Sequence, residues 1–390
     1  MRTPGRDISA ANAIIPLRPD SLCMRVLIVK LSSIGDVVHT LPAAALLRRA
    51  LPDARIAWVV ERRAGAILKD SPVIDELIEF DSRAWRNKLF HNSGIGEARR
   101  RLSELRKATG SDAAGRADIA LDFQGLIKSG LLAFASRAER RIGFETDELR
   151  EKPCRVFLTE QVETSRLKHV IEKNLAVAGA ALNGSPNQHS ESCPSPSAYE
   201  FPIALSAEDD VYAASVIEKQ SKNLGAEFAI LNPGGGWPTK LWPSERYGEL
   251  ADWLWSDCGL RSVVTFGPGE EALAHNVAAG ARSGEARAIP STIKQYVALA
   301  RRAALFVGGD TGPLHLAAAS GTPIVGLYGP TSPERNGPFD NRDITVGRDL
   351  WCRADCHRRS CWHWECMDIS LSDVKRAILK RLSRAKERTL

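Results

Sequence analysis

The sequence predicts an α/β protein made of two doubly wound lobes, each with a parallel sheet and crossover helices. Short apolar segments rich in β-branched residues alternate with helix-like segments, and this alternation occurs twice along the chain. Between the two series lies the stretch NGSPNQHSESCPSPSAYEFP (183–202), which has no apolar period and is typical of an interdomain connection. We therefore expect two lobes that face each other across a cleft.

Strands are expected in the first half at 26–29, 56–60 and 119–123, with a helix around 38–50, and in the second half at 228–231, 262–266, 305–307 and 324–328. The predicted organisation is a disordered extension (1–23), a first lobe (24–185), a linker (186–205), a second lobe (206–369) and a C-terminal packing helix (370–390).

Composition narrows the function classes. The chain has 390 residues, of which 44% are hydrophobic and 26% charged, as in a soluble globular protein. No apolar run approaches the roughly 20 residues that span a bilayer, and we expect neither a transmembrane helix nor a signal peptide. A net charge of +6 is too modest to indicate nucleic acid, but it suits an acidic partner or an anionic membrane surface. Eight cysteines without a secretion signal favour the reducing cytoplasm.

The most informative segment is RVLIVKLSSIGDVVHTLPA (25–43), where an apolar strand ends in a polar loop that carries Asp36 at the start of a helix. A dinucleotide-binding turn needs three spaced glycines, but only Gly35 is present, which argues against an oxidoreductase. The loop suits a carboxylate that is held against a substrate hydroxyl. The alternative is that Asp36 only caps the helix.

A second loop of the first lobe, LDFQGLIKSG (121–130), places Gln124 at a strand end and Lys128 in an early helical turn. A cation at this end of a helix opposes the helix dipole by about 0.5 kcal/mol, which makes Lys128 a candidate binding residue. A salt bridge between Lys128 and Asp122 is the alternative.

Three loops of the second half suit a phosphorylated sugar. In GGDTGPLHLAAASGTPIVGLYGPTSP (308–333), amides near Thr311 and Gly312 form an anion site at a helix start, and Asp310 can accept bonds from sugar hydroxyls. His315 is either an acid–base group or a structural histidine. The loop NPGGGWPTKLWP offers Lys240 to a leaving diphosphate, and FGPGEE offers Glu270 or Glu271 to a ribose, unless these are ordinary first-turn acids.

The motifs KLSSIGDVVHTLPA, LDFQGLIKSG, KLWP and GDTGPLHLAAASGTPIVGLYGPT, in this order, closely resemble glycosyltransferase family nine, the heptosyltransferases of the lipopolysaccharide inner core. The resemblance implies a GT-B architecture of two Rossmann-like lobes and inverting transfer from ADP-heptose without a required metal. It further implies a Kdo-lipid A acceptor and a peripheral position on the cytoplasmic face of the inner membrane.

The resemblance also assigns roles. Asp36 and Lys240 are then catalytic, as the general base and the group that neutralises departing ADP. The donor-binding set is Asp310, Thr311, Gly312, Pro313, His315, Glu270, Gly235 and Gly236. The acceptor-binding set is Ser32, Ser33, Gly35, Arg83, Arg86, Gln124, Lys128 and Arg150, in which the arginines suit phosphates and carboxylates.

Two features depart from the family members that act on Kdo-lipid A. Glycines at 234–236 replace hydroxyl-bearing residues, which keeps open a later core sugar or a protein hydroxyl as acceptor, and a non-catalytic nucleotide-sugar-binding protein is a further alternative. The cluster Cys352, Cys356, Cys361 and Cys366, with His357 and His363 interleaved, could hold a structural zinc or iron ion, although its spacing is not that of two CxxC pairs. Reduced, partly buried thiols are the alternative.

Overall fold

A computed structural model describes residues 23–81, 117–182, 199–220, 227–352, 356 and 358–386. These residues form two six-stranded sheets in which the paired strands run parallel. The α/β prediction of two doubly wound lobes is confirmed.

The first sheet has the strand order β3-β2-β1-β4-β5-β6. Its strands are β1 (Arg25–Val29), β2 (Arg55–Glu61), β3 (Glu76–Phe80), β4 (Ile119–Asp122), β5 (Arg140–Phe144) and β6 (Glu160–Val162). Its helices are α1 (Ile34–Val38), α2 (Leu41–Ala50), α3 (Arg62–Leu68), α4 (Ile127–Ala135) and α5 (Val170–Leu182), with 3-10 turns at Thr146–Glu148 and Lys152–Phe157. The strand order changes direction between β1 and β4, so ligands are expected beyond the carboxyl ends of these two strands.

The second sheet repeats this topology in the order β12-β11-β10-β7-β8-β9. Its strands are β7 (Phe228–Asn232), β8 (Arg261–Thr265), β9 (Ala286–Ile289), β10 (Leu305–Gly309), β11 (Ile324–Tyr328) and β12 (Ile344–Gly347). The helices are α6 (Ala207–Gln220), α7 (Ser244–Cys258), α8 (Glu271–Gly280), α9 (Ile293–Ala300), α10 (Gly312–Ala319), α11 (Pro333–Asn336) and α12 (Leu371–Lys386), with 3-10 turns at Pro238–Lys240 and Glu365–Met367. The strand order of the second sheet changes direction between β7 and β10.

The expected strands are present, and the structure adds five others. The central strands β1, β7, β8, β10 and β11 are buried at every position, which explains their mainly apolar sequences; their few polar residues lie at or next to strand ends. The additional strands β3, β5, β6, β9 and β12 lie at or next to sheet edges and are partly exposed, so their sequences carry a weaker signal. The single helix expected over 38–50 is wrong, because α1 ends at Val38 and α2 begins at Leu41 with Pro42 in its first turn.

The two lobes meet through a close contact between α1 and α10. A Cβ atom added to Gly35 would lie 2.3 Å from the His315 ring, and one added to Gly312 would lie 2.7 Å from Ile34. Neither position has room for a side chain. The core continues through this contact, since Val37 of α1 and Leu314 of α10 belong to one apolar cluster.

Three imidazoles lie beside this contact. The ring of His39 is 4.4 Å from the ring of His315 and 5.7 Å from that of His169, and its Nε2 has no hydrogen-bond partner. His169 reaches across to the second lobe, where its Nε2 lies 3.0 Å from the Gly337 carbonyl oxygen. Burial, followed by the two neighbouring imidazoles, lowers the pKa of His39 well below its usual value, against the opposing effect of Asp36 and Asp310.

We predict that Gly35→Ala lowers the unfolding free energy by about 2 kcal/mol, because the added methyl group overpacks the contact with His315. Chemical denaturation measures this change. Gly179→Ala, in α5, is the matched control because a Cβ there meets nothing within 4 Å. Its stability should stay constant or rise by about 0.5 kcal/mol. An equal effect of the two substitutions would contradict the close interlobe contact.

We also predict that stability falls as the pH drops below about 6.5, where an unfolded His39 takes up a proton that the folded protein resists. This one group contributes up to about 1.4 kcal/mol per pH unit in that range, and nothing above it. Denaturation of His39→Phe at several pH values should give a smaller acid-side slope than the natural protein. His275→Phe, at an exposed position on α8, should keep the natural slope; a natural slope in His39→Phe would refute the prediction.

Candidate active site

The loops at the two points of direction change face each other across an interlobe cleft of about 920 Å³. The loop after β1 contributes Ser32 and Ser33, and the start of α4, after β4, contributes Lys128. The second lobe contributes the glycine loop after β7 and the start of α10 after β10. This is the arrangement that two doubly wound sheets predict for a ligand site.

Nine of the residues proposed from the sequence line this cleft: Ser32, Ser33, Lys128, Gly235, Gly236, Glu270, Thr311, Gly312 and Pro313. Others lie in the layer that supports these loops: Gly35, Asp36, Gln124, Arg150, Lys240, Asp310 and His315. Arg83 and Arg86 lie outside the described residues, so their acceptor role stays a prediction.

Asp36 lies in the first turn of α1 and is 18% exposed. Its Oδ2 accepts hydrogen bonds from the Ser33 amide (2.8 Å) and the Ser33 hydroxyl (3.2 Å), so it does support the helix start. The same carboxylate lies 3.2 Å from the Arg150 guanidinium and 4.0 Å from Lys30 Nζ. Capping therefore accounts for only part of the environment of Asp36.

Two cations keep Asp36 ionised. Burial raises the pKa of this carboxyl, but Lys30, Arg150 and the Ser33 amide outweigh burial and hold it well below its usual value. Lys30 is itself buried, and burial lowers its pKa to about 8 despite the attraction of Asp36. Its ammonium also donates to the Phe123 carbonyl oxygen at 2.6 Å, which fixes the cation behind the loop.

Gln124 supports the loop of Asp36. It is buried, and its Oε1 accepts hydrogen bonds from the amides of Leu31 (3.1 Å) and Ser32 (3.2 Å). Gln124 thus holds the backbone that leads to Asp36. Without Gln124, the amides of Leu31 and Ser32 would lack this hydrogen-bond partner.

The alternative salt bridge between Lys128 and Asp122 is wrong. Asp122 is buried and already accepts bonds from the amides of Gln124 and Gly125 and from Ser129 and Cys154. Lys128 instead lies 3.5 Å from Glu61, at the end of β2, and its side chain is 38% exposed. Its ammonium therefore lies at the cleft wall, within reach of a ligand.

Asp310 is the centre of the second lobe's polar network. Its Oδ2 lies 2.6 Å from Lys240 Nζ, and its Oδ1 lies 3.1 Å from His315 Nε2 and 2.8 Å from the Asn336 amide nitrogen. Burial raises the pKa of Asp310, but the His315 hydrogen bond and the charges of His315 and Lys240 hold it far below its usual value. A buried carboxylate with three donors is a fixed negative charge beside the amides at the start of α10.

Lys240 lies beside Asp310 in this polar network. Its ammonium also donates to the Asp310 carbonyl oxygen at 2.8 Å and lies 4.7 Å from the centre of the Trp237 ring. A Cβ on Gly235 would lie 3.6 Å from Lys240 Cβ and from Thr311 Cγ2, so the glycine loop packs closely against the base of the Lys240 side chain and the start of α10. Ligand oxygens can approach Lys240 and the α10 amides because this loop has no side chains.

Glu270 lines the cleft at the loop that follows β8. Its Oε2 accepts from the Gly267 amide at 2.9 Å, and a Cβ on Gly234 would lie 2.2 Å from the same oxygen. Glu271 begins α8 and is exposed. Of these two candidates, the structure selects Glu270 as the cleft residue.

Several cleft residues were not predicted from the sequence, among them Glu61, Arg63, Thr292 and Tyr296. Glu61 ends β2 and Arg63 begins the next helix, whereas Thr292 precedes α9 and Tyr296 lies within it, so a position soon after a strand is the signal they share. Lys30 was not predicted either, because a lysine at the end of an apolar strand looks like a solvated residue until the fold buries it.

The four cysteines Cys352, Cys356, Cys361 and Cys366 line one cavity of about 110 Å³, together with His363. They are free thiols. Within the part of the chain that the structure describes, no three His, Cys, Asp or Glu side chains are arranged to hold a metal ion. His357 lies outside that part, so zinc or iron binding stays a prediction.

Comparison with known proteins agrees with this geometry. The lipopolysaccharide heptosyltransferase 1 of Pseudomonas aeruginosa is similar, at 29% identity over 361 residues that cover 90% of this chain and 92% of that protein. The solved E. coli heptosyltransferase WaaC with ADP has a TM-score of 0.70 at 25% identity, covering 92% of this chain and 100% of that one. WaaC with ADP-2-deoxy-2-fluoro heptose has a TM-score of 0.64 at 26% identity, covering 84% and 94%.

The expected GT-B architecture is confirmed by these structural neighbours. The sequence profile of glycosyltransferase family 9 (heptosyltransferase) matches residues 108–363, which is well over half the chain. The chain, whose two lobes face each other across a cleft, therefore belongs to glycosyltransferase family 9.

Proposed function

We propose that this protein transfers heptose from ADP-heptose to a hydroxyl of Kdo-bearing lipid A, with inversion at the anomeric carbon. The observation that carries the proposal is the contact between α1 and α10, which brings the ionised Asp36 of one lobe close to the anion-binding loops of the other. The names of the similar proteins support heptose as the sugar and ADP as the nucleotide.

In the proposed step, Asp36 takes the proton of the acceptor hydroxyl while that oxygen forms a bond to the anomeric carbon. The bond between this carbon and the diphosphate oxygen breaks on the opposite face, and its electrons leave with ADP. Lys240 and the amides at Thr311 and Gly312 stabilise the growing negative charge. Asp310 holds Lys240 in position and faces the sugar.

Binding of the acceptor also changes the proton affinity of Asp36. Arg150 lies 3.2 Å from Asp36 and lowers the pKa of that carboxyl. An acceptor phosphate or carboxylate that attracts Arg150 leaves Lys30 as the nearest cation. The proton affinity of Asp36 then rises when the hydroxyl is in place, which couples acceptor binding to base strength.

A later core sugar is the second candidate acceptor. The observation that favours it is the loop 234–236, which has only glycines where family members that act on Kdo-lipid A carry hydroxyl-bearing residues. Assays with acceptors that do and do not carry a first heptose separate the two candidates.

The proposed acceptor is a membrane lipid, so we place the protein at the cytoplasmic face of the inner membrane. Among the helices that the structure describes, none is both long enough and apolar enough to cross a bilayer.

We predict that Asp36→Asn lowers kcat by about 10²- to 10⁴-fold, because an amide cannot accept the proton. ADP release from ADP-heptose, with and without Kdo-lipid A, measures the loss. Asp147→Asn, an exposed carboxylate of the same lobe paired with Lys152, is the control and should retain full activity. Unchanged turnover in Asp36→Asn would remove Asp36 as the base, while silence of the natural protein despite ADP-heptose binding would move the proposal to another acceptor.

We predict that Glu270→Gln raises the KM for ADP-heptose about tenfold, because a charge-assisted hydrogen bond to the nucleoside becomes a neutral one. The amide oxygen can still accept from Gly267, so the loop should keep its shape. Initial rates at varied donor concentration give the constant, and the exposed neighbour Glu271→Gln is the matched control. Equal KM values in the two variants would show that Glu270 does not contact the donor.

A further inference from the structure

The outward face of α4 is apolar, the reverse of an ordinary surface helix. Ile127, Leu131 and Phe134 occupy positions i, i+4 and i+7, and each is more than 40% exposed, whereas Gly130 and Ala133 are buried. Isolated apolar side chains on a surface are common, but a row along one helix face is a feature that needs an explanation.

The adjoining 3-10 helix Lys152–Phe157 extends this surface. It packs against α4, with the Phe157 and Phe134 rings 6.0 Å apart, and it carries Val156, which is 73% exposed. These four side chains, Ile127, Leu131, Phe134 and Val156, form what we call the α4 patch. They are four of the nine large apolar side chains that are exposed in the described ranges of the chain.

Three arginines lie on the elements of the α4 patch. The Arg141 guanidinium lies 5.6 Å from the centre of the Phe134 ring, whereas Arg137 follows α4 and Arg155 belongs to the 3-10 helix, both of them exposed. One acid, Glu151, accepts a hydrogen bond from the Ile127 amide. An apolar centre with arginines at its margin matches the interface of an anionic bilayer, where apolar side chains enter the acyl boundary and cations meet the headgroups.

The position of the α4 patch relates it to the cleft. α4 begins directly after Gln124, which supports the loop of Asp36, and its Lys128 lines the cleft. The 3-10 helix follows Arg150, which contacts Asp36. Both elements of the patch therefore begin at the acceptor side of the cleft and extend outward from it.

We propose that the α4 patch docks on an anionic lipid bilayer and so brings the acceptor side of the cleft to the membrane surface. This inference rests on the proposed function, because a lipid acceptor is what makes a bilayer the expected partner. The arginines next to the patch favour an anionic bilayer over a second copy of the chain, because the same surface on a second copy would bring like charges together.

The test compares binding of the full-length protein to vesicles of phosphatidylglycerol and phosphatidylethanolamine with binding to vesicles of phosphatidylcholine. The patch variant is Leu131→Ser with Phe134→Ser. The matched control is Val211→Ser with Leu379→Ser, two second-lobe residues whose exposure is similar. We expect the patch variant to bind anionic vesicles at least about tenfold more weakly, and the control to bind like the natural protein.

Turnover separates this inference from the proposed function. With a deacylated, soluble acceptor the patch variant should keep the natural kcat, which also proves its fold, whereas with acceptor embedded in vesicles its rate should fall. Vesicle binding that depends on the patch without heptose transfer to either acceptor would leave the docking surface standing and refute the proposed function.

Three results would overturn the docking surface. One is equal vesicle binding by the natural protein and the patch variant, and another is no vesicle binding by the natural protein. The third is a natural dimer that the patch substitutions convert to a monomer without a change in vesicle binding, which would identify a second copy as the occupant.

Discussion

The close approach of α1 and α10 is the constraint on which the rest of the structure depends. Each helix begins at the carboxyl end of a central strand, and each carries one part of the polar chemistry in its first turn or at its start. The absence of side chains at Gly35 and Gly312 lets the helices touch, and any larger residue would separate the lobes. The distance between the Asp36 loop and the Lys240–Asp310 pair is thus set by backbone packing in an apolar interface, which is stiffer than a contact between long side chains.

The contact also concentrates negative charge, and each lobe compensates for it with its own lysine. Lys30 lies beside Asp36, and Lys240 lies beside Asp310. A buried carboxylate without such a partner would take up a proton, which would remove the function of both sites. The two lobes differ in the second partner of the carboxylate, because the Arg150 side chain is partly exposed, whereas the His315 side chain is buried with Asp310.

Two buried side chains behind the cleft, Asp122 and Gln124, support the loops of the site. Asp122 satisfies two amides and two side chains after β4, and Gln124 satisfies two amides after β1. Together, Asp122 and Gln124 connect the ends of β1 and β4, the two strands between which the strand order of the first sheet changes direction. The outward face of α4 continues from this rigid centre to the surface, so a membrane contact there would be transmitted to the cleft without a flexible link.

The sequence by itself determined the class of fold and most of the cleft. Buried parallel strands are continuously apolar, so the central strands could be located, and the ends of those strands identified Asp36, Lys128, Gly235 and Thr311 as neighbours. Only the tertiary structure decided the partners: Glu61 for Lys128, Lys30 and Arg150 for Asp36, and an amide-holding role for Gln124. It also decided which face of α4 is outside. These features depend on distances between segments far apart in the chain, and local sequence patterns carry the periodicity of an element but not the identity of what packs against it.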